Sequence, residues 1–189
     1  MGAHEGEILQ EIVRVSPRGR HIAYEPVAAS YERLARRFPE VDVRRAALWS
    51  ETGETMFTHV RSRPGYSGVR MTVDPAAEAV ETITVRAETL DASLPAGYVP
   101  ALIKIDVEGA EAHVIEGGLA TIRAHRPMLI FEHGAAARAY DTRPERIYDA
   151  VAAEAGLRLF DLDGQAPYDR ARFVEMVERG TYWNFVAHA

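Results

Sequence analysis

A small set of polar side chains stands where apolar runs end, the positions at which a chain of this kind can meet a ligand: Glu25, Asp106 with Glu108, and Glu132 with His133. Carboxylates at such places accept hydrogen bonds from hydroxyls, shuttle protons or hold a hard divalent cation. A histidine that titrates near neutrality is a credible general base. A glycine-flanked stretch, Gly2-Ala3-His4-Glu5-Gly6, precedes the first helical pattern, and Glu25 follows Gly6 by nineteen residues. That spacing is close to the one at which an acid reaches ribose hydroxyls in nucleotide-binding folds. The plain counterpart is a flexible glycine pair and a solvated acid at a strand end. Lys104 is the single lysine among 22 basic side chains. Alternation places it beside Asp106 on a mostly apolar strand, where each charge needs a partner. Glu111 falls in the first turn of the following helix, where an acid also favours the helix dipole without any ligand.

The elements that must position these groups alternate in type, which is the pattern of an α/β domain. Strands are expected near 21–25, 41–49, 55–60, 82–85, 102–106, 128–132, 157–162 and 184–187. Helices are expected over 5–15, 30–38, 110–124, 144–155 and 170–178, from apolar spacing and from the flanking proline and glycine signals. The near-continuous apolar runs before Asp106 and Glu132 read as strands covered on both faces. Neighbouring strands of that kind deliver their ends to one crevice, so Asp106, Glu132 and His133 are expected to converge there. Residues 61–79 lack periodicity and carry Pro64, Gly65, Gly68 and Pro75, so they read as a long loop suited to covering an acceptor molecule.

Composition excludes several classes. The chain has 189 residues and no cysteine, so disulfide scaffolds, zinc ribbons and thiol nucleophiles are out. A formal net charge of −6 argues against a nucleic-acid binder driven by counterion release. No apolar stretch is long enough to span a membrane, and a cytoplasmic location is the default expectation. Length and an ordinary apolar content fit a single domain, residues 1–189. His21, His59, His113, His125 and His188 share no spacing with His4 and receive no metal assignment.

The stretch Ile103-Lys104-Ile105-Asp106-Val107-Glu108-Gly109-Ala110-Glu111, then Gly117-Gly118, Arg126-Pro127 and Phe131-Glu132, resembles the FkbM-type S-adenosylmethionine-dependent methyltransferases. Gly2 to Gly6, Tyr24-Glu25-Pro26, Ala47-Leu48 and Thr89-Leu90-Asp91 match further landmarks of that family in order. The resemblance implies a Rossmann-like class I methyltransferase fold, a mostly parallel sheet flanked by helices. It also implies S-adenosylmethionine as cofactor and O-methylation of a small-molecule hydroxyl on a sugar, polyketide or related metabolite. Carried over residue by residue, Gly2, His4 and Gly6 line the cofactor loop and Glu25 holds the ribose. Ala47 and Leu48 lie near the adenine, and Asp106 lies near the methionine end and the acceptor. The family carries a strand before the glycine loop. Here Met1 immediately precedes Gly2, so the expected domain lacks its first strand and is truncated relative to the family pattern.

The reading is therefore an O-methyltransferase with Asp106, Glu132 and His133 as catalytic groups, His133 being the first choice of base, and with a small-molecule acceptor as partner. A divalent cation between Asp106 and Glu132 is a less favoured version of the same site. The competing class is a non-catalytic methyltransferase-like remnant that binds a protein partner through its cofactor face.

Overall fold

In this computed structural model, residues 1–70, 79–164 and 166–189 are described. The helices are α1 (Glu7–Val15), α2 (Ala28–Arg37), α3 (Leu90–Ser93), α4 (Glu111–Glu116), α5 (Leu119–His125), α6 (Pro144–Tyr148) and α7 (Arg170–Glu178). The strands are β1 (Ile22–Tyr24), β2 (Asp42–Arg44), β3 (Ala47–Leu48), β4 (Gly53–Val60), β5 (Val80–Glu88), β6 (Leu102–Ile105), β7 (Met128–Glu132), β8 (Arg158–Asp161) and β9 (Asn184–His188).

Three sheets form rather than one. β1 pairs with β2, β5 lies between β3 and β4, and the largest sheet runs β6-β7-β9-β8. The pairings β1/β2, β3/β5 and β6/β7 are parallel, whereas β4/β5, β7/β9 and β8/β9 are antiparallel. The expected mostly parallel sheet is thus corrected to a mixed one. One cause is that β9 returns between β7 and β8 and runs against both. The other is that β4 and β5 fold back on each other along their whole length.

Two expected elements are broken. The strand expected over 41–49 divides at Arg45-Ala46, because Asp42–Arg44 pairs with β1 and Ala47-Leu48 pairs with β5. The helix expected over 110–124 divides at Gly117-Gly118. A Cβ on Gly117 would stand 2.0 Å from the Trp49 carbonyl oxygen, so the chain can pass there only without a side chain. The helix expected over 144–155 is continuous but widens into π-type turns over Asp149–Glu154.

The main core is built from one face of the largest sheet. Ile103, Ile105, Leu129, Phe131, Phe185 and Leu159 pack against Ile115, Ile122, Ile147, Val151 and Phe173 from the helices. This layer fixes the C-terminal ends of β6 and β7, which carry the candidate residues. A separate apolar cleft of about 590 Å³ separates β1 from β6 and is lined by Ile22, Ala23, Leu102, Ile103, Leu9 and Ile12. At its upper end the Met1 ammonium donates to the Lys104 carbonyl at 2.9 Å, and Ala3 N–H donates to the Tyr24 carbonyl at 3.3 Å.

Candidate active site

A second cavity, of about 160 Å³, opens where β1, β3 and β6 end. Gly2, His4, Glu25, Ala47, Leu48 and Asp106 all line it, together with Glu108. Four separate stretches of sequence therefore meet at one place.

Glu25 follows the last residue of β1 and is only 6% exposed. Its Oε2 accepts the His4 N–H and its Oε1 accepts the Val27 N–H, each at 3.0 Å. Burial pushes its carboxyl above the ordinary range, and the two backbone donors pull the other way. A carboxylate held by two amides keeps acceptor capacity for further hydroxyl donors. His4 lines the same cavity, and its Nε2 is shielded from solvent without a partner among the described residues. Gly6 lies elsewhere. It precedes α1, packs on Phe38 and Leu34, and lines the larger apolar cleft instead.

β6 presents Ile103 and Ile105 to the core, so Lys104 and Asp106 take the other face. Lys104 Nζ donates to Asp106 Oδ2 at 2.6 Å, which gives both charges the partner their position demands. The chain then turns sharply. Glu108 has φ of +55° and Gly109 has φ of +100°. The left-handed region costs a non-glycine residue roughly 1–2 kcal/mol. Gly109 is required because a Cβ would stand 2.5 Å from the Ala136 backbone. Glu111 holds this turn from below: its Oε1 accepts both the Val107 and Gly109 N–H groups at 3.1 Å. Fully buried, Glu111 is pushed up to about 7, chiefly by desolvation. The Glu108 carboxyl also rises to about 7, first through burial and then through the charges of Asp106, Glu132 and Glu111.

The end of β7 behaves differently. Ile105 and Phe131 are register partners, so Asp106 and Glu132 follow as neighbours, and burial followed by the Asp106 charge raises the Glu132 carboxyl. Glu132 does not line the cavity. His133 is not brought to it either. His133 is 1% exposed, its ring centroid lies 6.3 Å from that of Phe173, and neither ring nitrogen has a partner among the described residues. Desolvation lowers it to about 4. Among the described residues no group of three His, Asp or Glu side chains is arranged to hold a metal ion.

Gly65, Ser67 and Val69, from the expected loop over 61–79, also line the cavity. Gly68 is tied to Thr58 by two backbone hydrogen bonds, and Ser67 Oγ accepts the Val60 N–H. Residues 71–78 of that loop lie outside the described residues. Glu108 is the cavity residue whose weight the sequence understated. The available signal was its place directly before Gly109, where a tight turn lifts a side chain off the strand.

Comparison with known proteins gives this constellation a context. The Methyltransferase FkbM domain matches residues 1–153. The chain belongs to the FkbM methyltransferase domain family. The crystal structure of methyltransferase FkbM from Methylobacillus flagellatus KT superimposes with a TM-score of 0.60 at 17% identity, covering 100% of this chain. The chain spans 42% of that protein's length, and the likeness is one of fold. No curated protein matches the sequence. No helix among the described residues is long and apolar enough to cross a membrane.

Proposed function

We propose that this chain is an S-adenosylmethionine-dependent O-methyltransferase acting on a hydroxyl of a small molecule. The observation that carries the reading is the convergence of Gly2, His4, Glu25, Ala47, Leu48 and Asp106 on one cavity. The residues suit the donor: a buried carboxylate with acceptor capacity for two ribose hydroxyls, a shielded imidazole nitrogen without a partner among the described residues, and the apolar walls of Ala47, Leu48 and Val27 for a base. When bound, the donor supplies an electrophilic methyl group on a sulfonium. The chain's part is to orient that group, exclude water and accept the proton of the acceptor hydroxyl. The loop carrying Gly65, Ser67 and Val69 roofs the cavity and covers the acceptor. In this reading the mixed sheets are a Rossmann-like class I arrangement.

Calorimetric titration with S-adenosylmethionine tests the proposal. Binding is expected, and Glu25→Ala should weaken it at least tenfold, since hydrogen bonds to a charged group are worth roughly 1.5–3 kcal/mol each. Absence of binding would favour the non-catalytic reading. Unchanged affinity in Glu25→Ala would remove Glu25 from the site.

A further inference from the structure

We propose that Glu108 is the proton acceptor for the reacting hydroxyl, presented to the cavity by the left-handed turn that ends β6. The inference rests on the methyltransferase reading above and adds a catalytic residue to it.

The argument is one of elimination by geometry. Four carboxylates and one imidazole crowd the ends of β6 and β7. Asp106 is engaged by Lys104 at 2.6 Å. Glu111 is sealed beneath the turn, with Oε1 spent on two backbone amides. Glu132 stands beside Asp106 but outside the cavity lining, and His133 is packed in the core near Phe173. Glu108 alone of these acids lines the cavity and has no hydrogen bond or ion pair to any described residue. It shares that cavity with Glu25, and its Cβ lies under Gly68 of the roofing loop, 3.8 Å from where a Cβ on that glycine would stand.

A base works best when its pKa lies near the operating pH. The charged groups that face Glu108 are Lys104 on β6 and Asp106 directly after it, Glu132 on β7 and Glu111 on α4. The three acids and burial hold its carboxyl near 7, with Lys104 opposing. In the transfer, an oxygen lone pair of the acceptor forms the new bond to the methyl carbon as the sulfur–carbon pair returns to sulfur. The hydroxyl proton passes to the Glu108 carboxylate, which becomes a neutral acid. No metal or further reactant is needed for that balance.

Two analogues test this without knowledge of the acceptor. S-adenosylhomocysteine lacks the transferred methyl, and sinefungin places an alkylammonium where that methyl would be. A carboxylate at the transfer centre should make sinefungin bind at least about tenfold more tightly at pH 8, as a charge-assisted contact does. The preference should fade toward pH 5.5 as Glu108 takes up a proton, because an alkylammonium of ordinary basicity stays charged throughout. In Glu108→Gln the affinity ratio should collapse to within about twofold at both pH values. A pH-independent ratio in the wild-type chain, or a ratio unchanged in Glu108→Gln, overturns the assignment. Failure to bind S-adenosylhomocysteine at all overturns the donor reading instead. The wild-type pH series does not depend on the variant's folding.

Discussion

The ends of β6 and β7 are neighbours with the same grammar, an apolar strand followed by acidic or imidazole groups, yet they do opposite things. After β6 the chain turns through Glu108 and Gly109 and opens Asp106 and Glu108 to a cavity. After β7 it carries His133 into the core near Phe173. The difference is parity. Ile103 and Ile105 share their face with Leu129 and Phe131, and His133 continues that buried face by simple alternation. Lys104, Asp106, Ile130 and Glu132 take the other. Strand ends of like composition are thus not interchangeable: the residue's position in the two-residue period decides whether it joins the buried face or turns away from it.

Three perturbations probe this contrast. The largest effect is expected at the floor of the β6 turn. Glu111→Ala leaves the Val107 and Gly109 amides without their acceptor and should cost roughly 2–5 kcal/mol, read from denaturant unfolding. Glu111→Gln, whose amide oxygen can accept both bonds, should recover most of it. Equal losses in the two variants would mean that the side chain holds the turn by packing alone.

A smaller effect separates the two ends by pH. Glu108 and Glu111 titrate near 7 in the folded chain against an ordinary 4.5. Their stabilising contribution is therefore full below about 4.5 and is lost as pH rises through 7. His133 is lowered from 6.5 to about 4, so its contribution is full above 6.5 and is lost as pH falls through 4. The one histidine slope cancels one of the two carboxyl slopes, so the wild-type profile falls only gently between 4.5 and 6.5. His133→Phe should remove one slope, leaving stability that declines steadily from pH 4.5 to 7. It should also add about 1 kcal/mol at pH 5, since two unpartnered ring nitrogens leave the core. Glu108→Gln should leave Glu111 and His133 in balance and the profile nearly level. Melting temperatures across that range decide, and an unchanged profile in His133→Phe would place its ring in contact with solvent.

The smallest effect is expected from Lys104→Met. The pair with Asp106 is partly exposed, 18% and 34% for the two side chains, so its loss should cost about 1 kcal/mol or less. The Glu108 carboxyl should titrate higher without the nearby ammonium, visible by carbon-13 NMR of labelled glutamate. A downward movement would contradict the charge arrangement at the cavity.

Much of this was written in the sequence. The alternation of apolar runs gave eight strand segments that locate all nine strands to within a few residues, with 41–49 covering two of them. The spacing from the glycine loop to Glu25 placed an acid at the end of β1. Local pattern suffices for these because each depends on neighbours within a turn or a strand. That Lys104 and Asp106 stand on one face and each need a partner was equally legible; the structure makes them each other's partner. His133 was legible in principle too, through the parity of Leu129 and Phe131, but its chemistry suggested a ligand more loudly than its position suggested a core.

Other features were decided only by packing. The return of β9 between β7 and β8, the division of 41–49 between two sheets and the break at Gly117 follow from which distant surfaces meet. Glu108 owes its role to the same cause. Its exposure to the cavity depends on a left-handed backbone that Gly109, the Ala136 backbone and the buried Glu111 carboxylate impose together. Short-range sequence determines which residues stand at a strand's end. Whether an outward-facing residue then meets a cavity, as Asp106 and Glu108 do and Glu132 does not, depends on contacts across long stretches of chain, whose energies exist only once the fold has closed.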